Sequence, residues 1–134
     1  MTLDDIIEKI NQAETIVILT HENPDGDAMG SSLAMYHALK AYGKNPDIII
    51  PEHSKVFNCL PGIEDLKTES DIEHYDLAIS LDCATVKMLN GFASYFEDAK
   101  TKICIDHHST NTMFGDYNYV NPDAPAFFYF PHFP

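Results

Sequence analysis

Short apolar runs alternate along the chain with stretches whose apolar residues recur at helical spacing. Buried strands are predicted where β-branched and apolar residues cluster, at 15–20, 46–51, 76–82 and 102–106. Helices are predicted where the spacing is three or four residues, at 2–12, 27–42 and 86–98. Residues 52–75 are polar and mixed, which indicates a short helix and turns around Pro61 and Gly62.

The order of these elements predicts the fold class. Strands alternate with helices, and the strands are almost continuously apolar, which is typical of a parallel sheet covered on both faces. We therefore expect an α/β, Rossmann-like, three-layer sandwich with a mainly parallel sheet. Thr2 with Asp5 resembles a capping box for the first helix, Asp27 is a good N-cap for the second, and Gly43 is a stop signal.

Length and composition indicate an ordinary globular domain. The chain has 134 residues, enough for one hydrophobic core. No apolar run approaches the ~18 residues of a membrane span, and the N-terminus lacks the basic and apolar regions of a signal peptide. Cys59, Cys83 and Cys104 make an odd count without a Cys-x-x-Cys pair, which gives no disulfide framework. We expect a cytoplasmic protein, with Cys104 as a buried apolar residue.

The excess of acidic residues limits the kinds of partner that the protein can bind. The formal net charge is −13, and such a surface repels a long phosphate backbone. We therefore expect no duplex nucleic acid and no membrane as a partner. A small phosphate ester is still compatible with this charge if bound metal ions reverse its sign locally.

Ligand-type side chains follow three of the predicted strands: His21, Asp25 and Asp27 after the first, Asp82 after the third, and Asp106, His107 and His108 after the fourth. The carboxyl ends of parallel strands lie on one edge of a sheet, so these segments are expected to converge there. Alone, each group has an ordinary explanation as a turn, a cap or a surface residue. Together, four aspartates and three histidines without a lysine favour bound cations.

Mixed imidazole and carboxylate ligands suit manganese, iron or zinc, and the cluster holds more ligands than one ion needs. A pair of metals that share a carboxylate, suited to displacement at phosphorus, is therefore the natural interpretation. The other histidines, His37, His53, His74 and His132, have no such neighbours in sequence, and we interpret them as structural or surface residues.

Three segments, "HENPDGDAMGSS", "SLDCA" and "IDHHSTN", resemble the first three motifs of the DHH phosphoesterase family, and of its nanoRNase branch in particular. The resemblance covers residues 1 to about 123. It implies that His21 and Asp25 bind one manganese ion, Asp27 and His107 bind the other, and Asp82 bridges them. It also implies catalytic roles for two further residues: His108 facing the substrate phosphate, and Asp106 orienting an imidazole.

The resemblance also implies a substrate class and a second domain. Members of this branch hydrolyse short oligoribonucleotides and 3'-phosphoadenosine 5'-phosphate, whereas relatives act on cyclic dinucleotides, pyrophosphate or single-stranded DNA ends. Their substrate sits between this domain and a smaller C-terminal domain, for which this sequence has no counterpart; a fourth motif that completes the second metal site is missing too. We therefore expect low activity from this chain, and the alternative is a non-catalytic metal-binding fragment.

The last stretch, residues 124–134, departs from the family pattern. Five of seven consecutive residues are aromatic: Phe127, Phe128, Tyr129, Phe130 and Phe133. A platform for stacked bases is one interpretation, but the stretch lacks the basic residues that usually accompany one. We favour an apolar tail outside the domain of residues 1–123, with self-association as its consequence.

Overall fold

The computed structural model describes residues 3–123. Its regular elements are α1 (Leu3–Gln12), β1 (Ile16–Thr20), α2 (Gly26–Ala41), β2 (Asp47–Ile48), β3 (Leu77–Leu81), α3 (Ala93–Glu97), β4 (Thr101–Asp106) and β5 (Tyr117–Val120). Three 3₁₀ helices lie between them, at Lys55–Cys59, Ile63–Asp65 and Val86–Phe92. All four predicted strands are present.

The sheet is parallel throughout, with the strand order β2-β1-β3-β4-β5. The two central pairs, β1 with β3 and β3 with β4, each align five residues. From β1 the chain first adds β2 on one side and later β3 on the other. The carboxyl ends of β1 and β3 therefore form the switch point of the sheet, where ligands bind in open α/β folds.

Alternate residues of the strands face two separate apolar layers, and this confirms the predicted three-layer α/β sandwich. Ile16 and Ile18 of β1 pack in one layer with Ile6 and Ile10 of α1 and with the buried face of α2. Val17 and Leu19 pack in the other layer, with Leu89 and Phe96. Strands buried on both faces explain the continuous apolar runs in the sequence.

The N-cap of α2 differs from the prediction. Asp25, not Asp27, caps the helix, because its Oδ1 accepts a hydrogen bond from the backbone N–H of Ala28 at 2.9 Å. Asp27 lies in the first turn, which leaves its carboxylate directed at another partner described below. At the other end, α2 stops before Gly43, whose φ of +90° is the left-handed conformation expected after a helix.

Two predicted elements are shorter than expected. The helix predicted over 86–98 is divided into a 3₁₀ helix and α3, because Asn90 has φ 49° and ψ −121°. The strand predicted over 46–51 pairs with β1 only at Asp47 and Ile48. Beyond it, the N–H of Ile50 donates to the carbonyl of Lys67 at 3.0 Å, so the linker continues the pairing at this edge.

The fifth strand was missed. β5 pairs with β4 from Ile103–Tyr117 to Asp106–Val120 and is half-buried along its length. Four residues, "YNYV", at the edge of a sheet carry too little hydrophobic pattern to be identified from sequence.

Part of the sequence predictions falls on residues outside 3–123: the capping residue Thr2, His132 and the aromatic tail. Within the described part, no helix is long and apolar enough to cross a membrane. Cys104 is buried, as predicted, and so is Cys83, whereas Cys59 is exposed.

Candidate metal centre

The acidic and imidazole side chains singled out in the sequence meet at the switch point of the sheet. Two groups of possible metal ligands lie there, and they share Asp82: one is completed by His21 and Asp25, the other by Asp106, His107 and His108. Asp27 joins through its contact with His107. The predicted convergence of the three strand ends is therefore what the structure shows.

Asp82 is the centre of this arrangement. Its backbone has φ 56°, an uncommon conformation for a non-glycine residue, and the residue is only 2% exposed. One carboxylate oxygen, Oδ1, lies 3.0 Å from Nε2 of His107. The other, Oδ2, lies 3.5 Å from Nε2 of His21. A single carboxylate thus faces two histidines that follow different strands.

Two more carboxylates flank these histidines. Oδ2 of Asp27, in the first turn of α2, is 2.9 Å from Nε2 of His107. Oδ1 of Asp25 is 3.8 Å from Nε2 of His21, and the same atom accepts the capping hydrogen bond from Ala28. The start of α2 therefore supplies one carboxylate to each histidine.

The histidines and carboxylates of this cluster are linked by hydrogen bonds and close contacts. The hydrogen bond with Asp82 raises the pKa of His21 to about 9, although burial acts in the opposite direction. Burial alone would raise the pKa of Asp82, but hydrogen bonds from His21 and His107 bring it below its ordinary value. These contacts favour the protonated form of His21, and a cation that binds at its Nε2 must displace that proton.

Asp106 orients His108. Asp106 is fully buried, and its Oδ1 accepts a hydrogen bond from Nδ1 of His108 at 2.6 Å. Oδ2 of Asp106 accepts a second hydrogen bond from Nδ2 of Asn111 at 2.9 Å. Nδ1 of His108 is thus engaged, and Nε2 of this half-exposed ring is the nitrogen left to meet a ligand.

Asn111 is a residue of the centre that the sequence interpretation missed. Its amide also contacts the carbonyl of Cys83 at 3.3 Å, and its Oδ1 accepts from the backbone N–H of Met113 at 2.6 Å. The residue therefore connects the segment after β3 to the segment after β4. Its place five residues after Asp106, in the segment "DHHSTN", was the available signal.

The donor set fits divalent cations. Ligand atoms bound ~2.1 Å from one ion lie roughly 3.0–3.4 Å from each other, and the separations around Asp82 scatter about that range. Nδ1 of His21 lies 2.9 Å from the carbonyl of Glu22, an interaction that directs Nε2 toward the carboxylates. Oriented imidazoles and carboxylates at these distances could hold a metal ion.

The remaining described histidines lie elsewhere and contact protein oxygens. His37 contacts the carbonyl of Pro61, His53 contacts the side-chain oxygen of Asn58, and His74 contacts the carbonyl of Asp98. Their predicted structural or surface role agrees with these contacts.

Comparison with known proteins places this geometry in a family. Residues 15–127 match the "DHH family, N-terminal domain". The chain is 35% identical over 112 residues to the "Bifunctional oligoribonuclease and PAP phosphatase NrnA" of Thermus thermophilus, with 83% of this chain and 33% of that protein aligned. It is 32% identical over 117 residues to "Uncharacterized protein MJ1633" of Methanocaldococcus jannaschii, covering 83% of this chain and 23% of that protein.

A solved structure agrees. The crystal structure of an exopolyphosphatase-related protein from Bacteroides fragilis superposes with a TM-score of 0.84 at 27% identity, over 92% of this chain and 39% of that one. The chain thus spans about a third of the Thermus relative and less of the archaeal one. Because most of the chain matches the family and the family's acidic and imidazole segments meet at one sheet edge, the chain belongs to the DHH family through its N-terminal domain.

Proposed function

We propose that this domain holds two manganese ions and hydrolyses short oligoribonucleotides, 3'-phosphoadenosine 5'-phosphate, or both. The observation that carries the proposal is the position of Asp82, whose two carboxylate oxygens face His107 and His21 separately. A carboxylate placed in this way suits a bridge between two ions, and two-ion sites act on phosphate esters.

The proposed ligands divide into two sets around Asp82. His21 and Asp25 complete one set, and Asp27 and His107 complete the other. Two divalent ions held there would supply an attacking water of lowered pKa and neutralise charge that develops on the phosphoryl oxygens. Mixed imidazole and carboxylate donors without a thiolate favour manganese over a structural zinc site.

His108 and Asp106 have the proposed role of positioning the substrate. His108 is 41% exposed in its side chain, and its Nδ1 is held by the buried carboxylate of Asp106. When the ring also carries a proton on Nε2, that nitrogen can donate a hydrogen bond to a non-bridging phosphate oxygen. This places a directed donor at the reacting group.

The substrate class rests on the relatives and on charge. The Thermus relative is named a bifunctional oligoribonuclease and PAP phosphatase. A net charge of −13 disfavours a long polyanion but leaves a nucleotide or dinucleotide acceptable at a site with bound cations.

The test combines metal binding with single-turnover hydrolysis. The metal-free chain is titrated with Mn²⁺ by calorimetry and then mixed, in excess, with a diribonucleotide or with 3'-phosphoadenosine 5'-phosphate. We expect two Mn²⁺ per chain, at least one of them weakly bound, and slow hydrolysis that depends on them. Asp82→Asn keeps the shape of the side chain and removes its charge, so it should weaken manganese binding and slow hydrolysis by at least ~100-fold.

Asp71→Asn is the matched control, because Asp71 is exposed and lies outside the cluster. It should leave both measurements unchanged. Stoichiometric manganese binding with unaltered affinity in Asp82→Asn would contradict the ligand assignment. Hydrolysis of cyclic dinucleotides, single-stranded DNA ends or polyphosphate in preference to both named substrates would contradict the substrate class.

A further inference from the structure

A cavity of about 280 Å³ opens beside the candidate metal centre, between the loop after β1 and the end of β2. Thr20 and His21 form part of its wall, and His21 also belongs to the centre. A ligand that fills the cavity therefore lies next to the place proposed for the reacting phosphate. Its volume is near the lower end of the ~300–1,000 Å³ of ligand pockets, which suits one nucleoside and not an oligonucleotide.

The walls of this cavity are largely apolar. Ile49, Ile50, Pro24 and Pro51 line it, and the ring of Phe92 completes the lining. Flat apolar surfaces of this kind bury a planar ring well, and stacking of a base on an aromatic side chain is worth a measurable part of the affinity for nucleic acids.

Two carboxylates of the cavity disfavour a phosphate group there, whereas His21, the other ionisable residue of the lining, belongs to the candidate metal centre. Glu22 and Glu52 line the cavity, and the described lining contains no lysine. Two carboxylates repel a phosphate but accept hydrogen bonds from the N–H groups of a neutral base. A nucleobase, and not a second phosphate, therefore matches the charge of this surface.

The cavity is also fixed before any ligand arrives. The backbone N–H of Glu22 donates to the carbonyl of Met88 at 3.0 Å, and Nδ2 of Asn90 donates to Oε2 of Glu22 at 2.7 Å. These two bonds tie the loop after β1 to the 3₁₀ helix that carries Phe92. Because Asn90 already occupies one oxygen of Glu22, the carboxylate of Glu52 is the better acceptor for a ligand.

We propose that this cavity binds the purine base of the nucleotide substrate, with the base packed against Phe92 and an exocyclic N–H donated to Glu52. The inference rests on the proposed function, because it takes the substrate to be a nucleotide. In this proposal Phe92 and Glu52 determine which base is bound, and they do so without contact with the metal ions.

The test uses nucleosides, which carry no phosphate, and the metal-free chain. Adenosine and purine riboside are compared by amide NMR titration, because they differ only in the exocyclic amino group. We expect adenosine to shift the amides of residues 22–23, 49–50 and 52. Purine riboside should bind about threefold to tenfold more weakly, as the loss of one hydrogen bond implies. Ribose 5-phosphate should leave these amides unshifted.

Two variants locate the binding. Glu52→Ala removes an exposed side chain and should make adenosine and purine riboside bind equally. Phe92→Ala should weaken both nucleosides, while the exposed Glu97→Ala is the matched control and should change neither. Shifts elsewhere on the chain, equal binding of the two nucleosides to the unmodified protein, or binding of ribose 5-phosphate at these amides would overturn the inference.

The failure of this inference is distinct from a failure of the proposed function. Turnover of a diribonucleotide without adenosine binding at these amides overturns the base site alone. Adenosine binding without manganese-dependent turnover leaves the base site standing and overturns the proposed reaction.

Discussion

Asn111 shows how much a single uncharged side chain contributes to the candidate centre. It donates to the fully buried carboxylate of Asp106, which in turn holds His108. A buried carboxylate oxygen without a donor is costly, so the loss of the Asn111 amide would disturb the contact between Asp106 and His108. Asn111 is therefore a positioning residue, which acts through Asp106 on the ring that is proposed to face the substrate.

Replacement of this residue gives a prediction at the residue scale. Asn111→Ala should lower kcat by about 10–100-fold, the usual effect of losing a residue that orients a functional group. The affinity for manganese should change by much less, since Asn111 contacts no proposed ligand except through Asp106. Steady-state kinetics and calorimetric titration of Mn²⁺ measure the two quantities, and an equal loss in both would show that Asn111 shapes the metal ligands directly.

At the scale of elements, the turn before β5 depends on a glycine. A Cβ on Gly115 would lie 2.9 Å from the backbone nitrogen of Cys104 and 3.0 Å from the carbonyl oxygen of Tyr117. These are backbone atoms of β4 and β5, which cannot move without displacing a strand. The close approach of the two strands at this point therefore excludes a side chain.

Gly115→Ala should accordingly lower the free energy of unfolding by about 1–3 kcal/mol, the cost of overpacking a tight site. Gly91→Ala is a matched control, because a Cβ there meets no atom within 4 Å. Urea denaturation of both variants measures the difference. Equal free energies of unfolding for the two variants would show that β5 can shift to accommodate a Cβ at position 115 without loss of stability.

Asp76 ties the beginnings of β1 and β3 together. Its Oδ2 accepts hydrogen bonds from the backbone N–H groups of Glu14 at 2.9 Å and Thr15 at 3.2 Å. These two hydrogen bonds, of which the one from Glu14 has the larger effect, hold the pKa of Asp76 below its ordinary value. Lys100 lowers the pKa further by a smaller amount. The carboxylate thus stabilises the end of the sheet opposite the candidate metal centre.

The pKa of Asp76 is lower in the folded protein than in the unfolded chain, where it is near 3.9. The stabilisation by Asp76 is therefore fully present above the unfolded pKa and is lost as the pH falls through the folded pKa. Asp76→Asn should therefore cost about 1–3 kcal/mol at pH 7 and progressively less below pH 4. Urea denaturation between pH 7 and pH 4 or below measures the difference in free energy of unfolding between the unmodified protein and Asp76→Asn. The free energy of unfolding of Asp71→Asn should equal that of the unmodified protein at every pH. A loss of stability in Asp76→Asn that stays constant with pH would contradict the role given to the Asp76 carboxylate.

At the scale of the whole molecule, the aromatic stretch within residues 124–134 sets an expectation about association. Each aromatic side chain that becomes buried is worth roughly 1.5–3 kcal/mol, so five in seven residues favour contact with an apolar surface. We expect the chain to self-associate with rising concentration, and a version that ends at Asp123 to do so less. Light scattering on both chains decides this, and equal behaviour, or more association of the shorter chain, would refute it.

Much of the fold could be predicted because its evidence is local. A strand buried on both faces has an apolar residue at nearly every position, so β1, β3 and β4 stand out in the sequence, and helical spacing identifies α1 and α2. β5 could not be found, because its half-buried residues acquire their environment from the neighbouring strand. The division of the third helix depends on Asn90, whose conformation no periodicity reports.

The sequence by itself determined the candidate ligand residues and the sheet edge at which they meet, since parallel strands bring their carboxyl ends together whatever the loops do. Tertiary structure decided the rest. Which oxygen of Asp82 faces which histidine depends on distances through space between segments far apart in the chain. Whether Asp25 or Asp27 caps α2, and how Asn111 reaches Asp106, depend on the conformation of the loops after β1 and β4. Such distances follow from strand order and loop conformation, which spacing along the sequence does not encode.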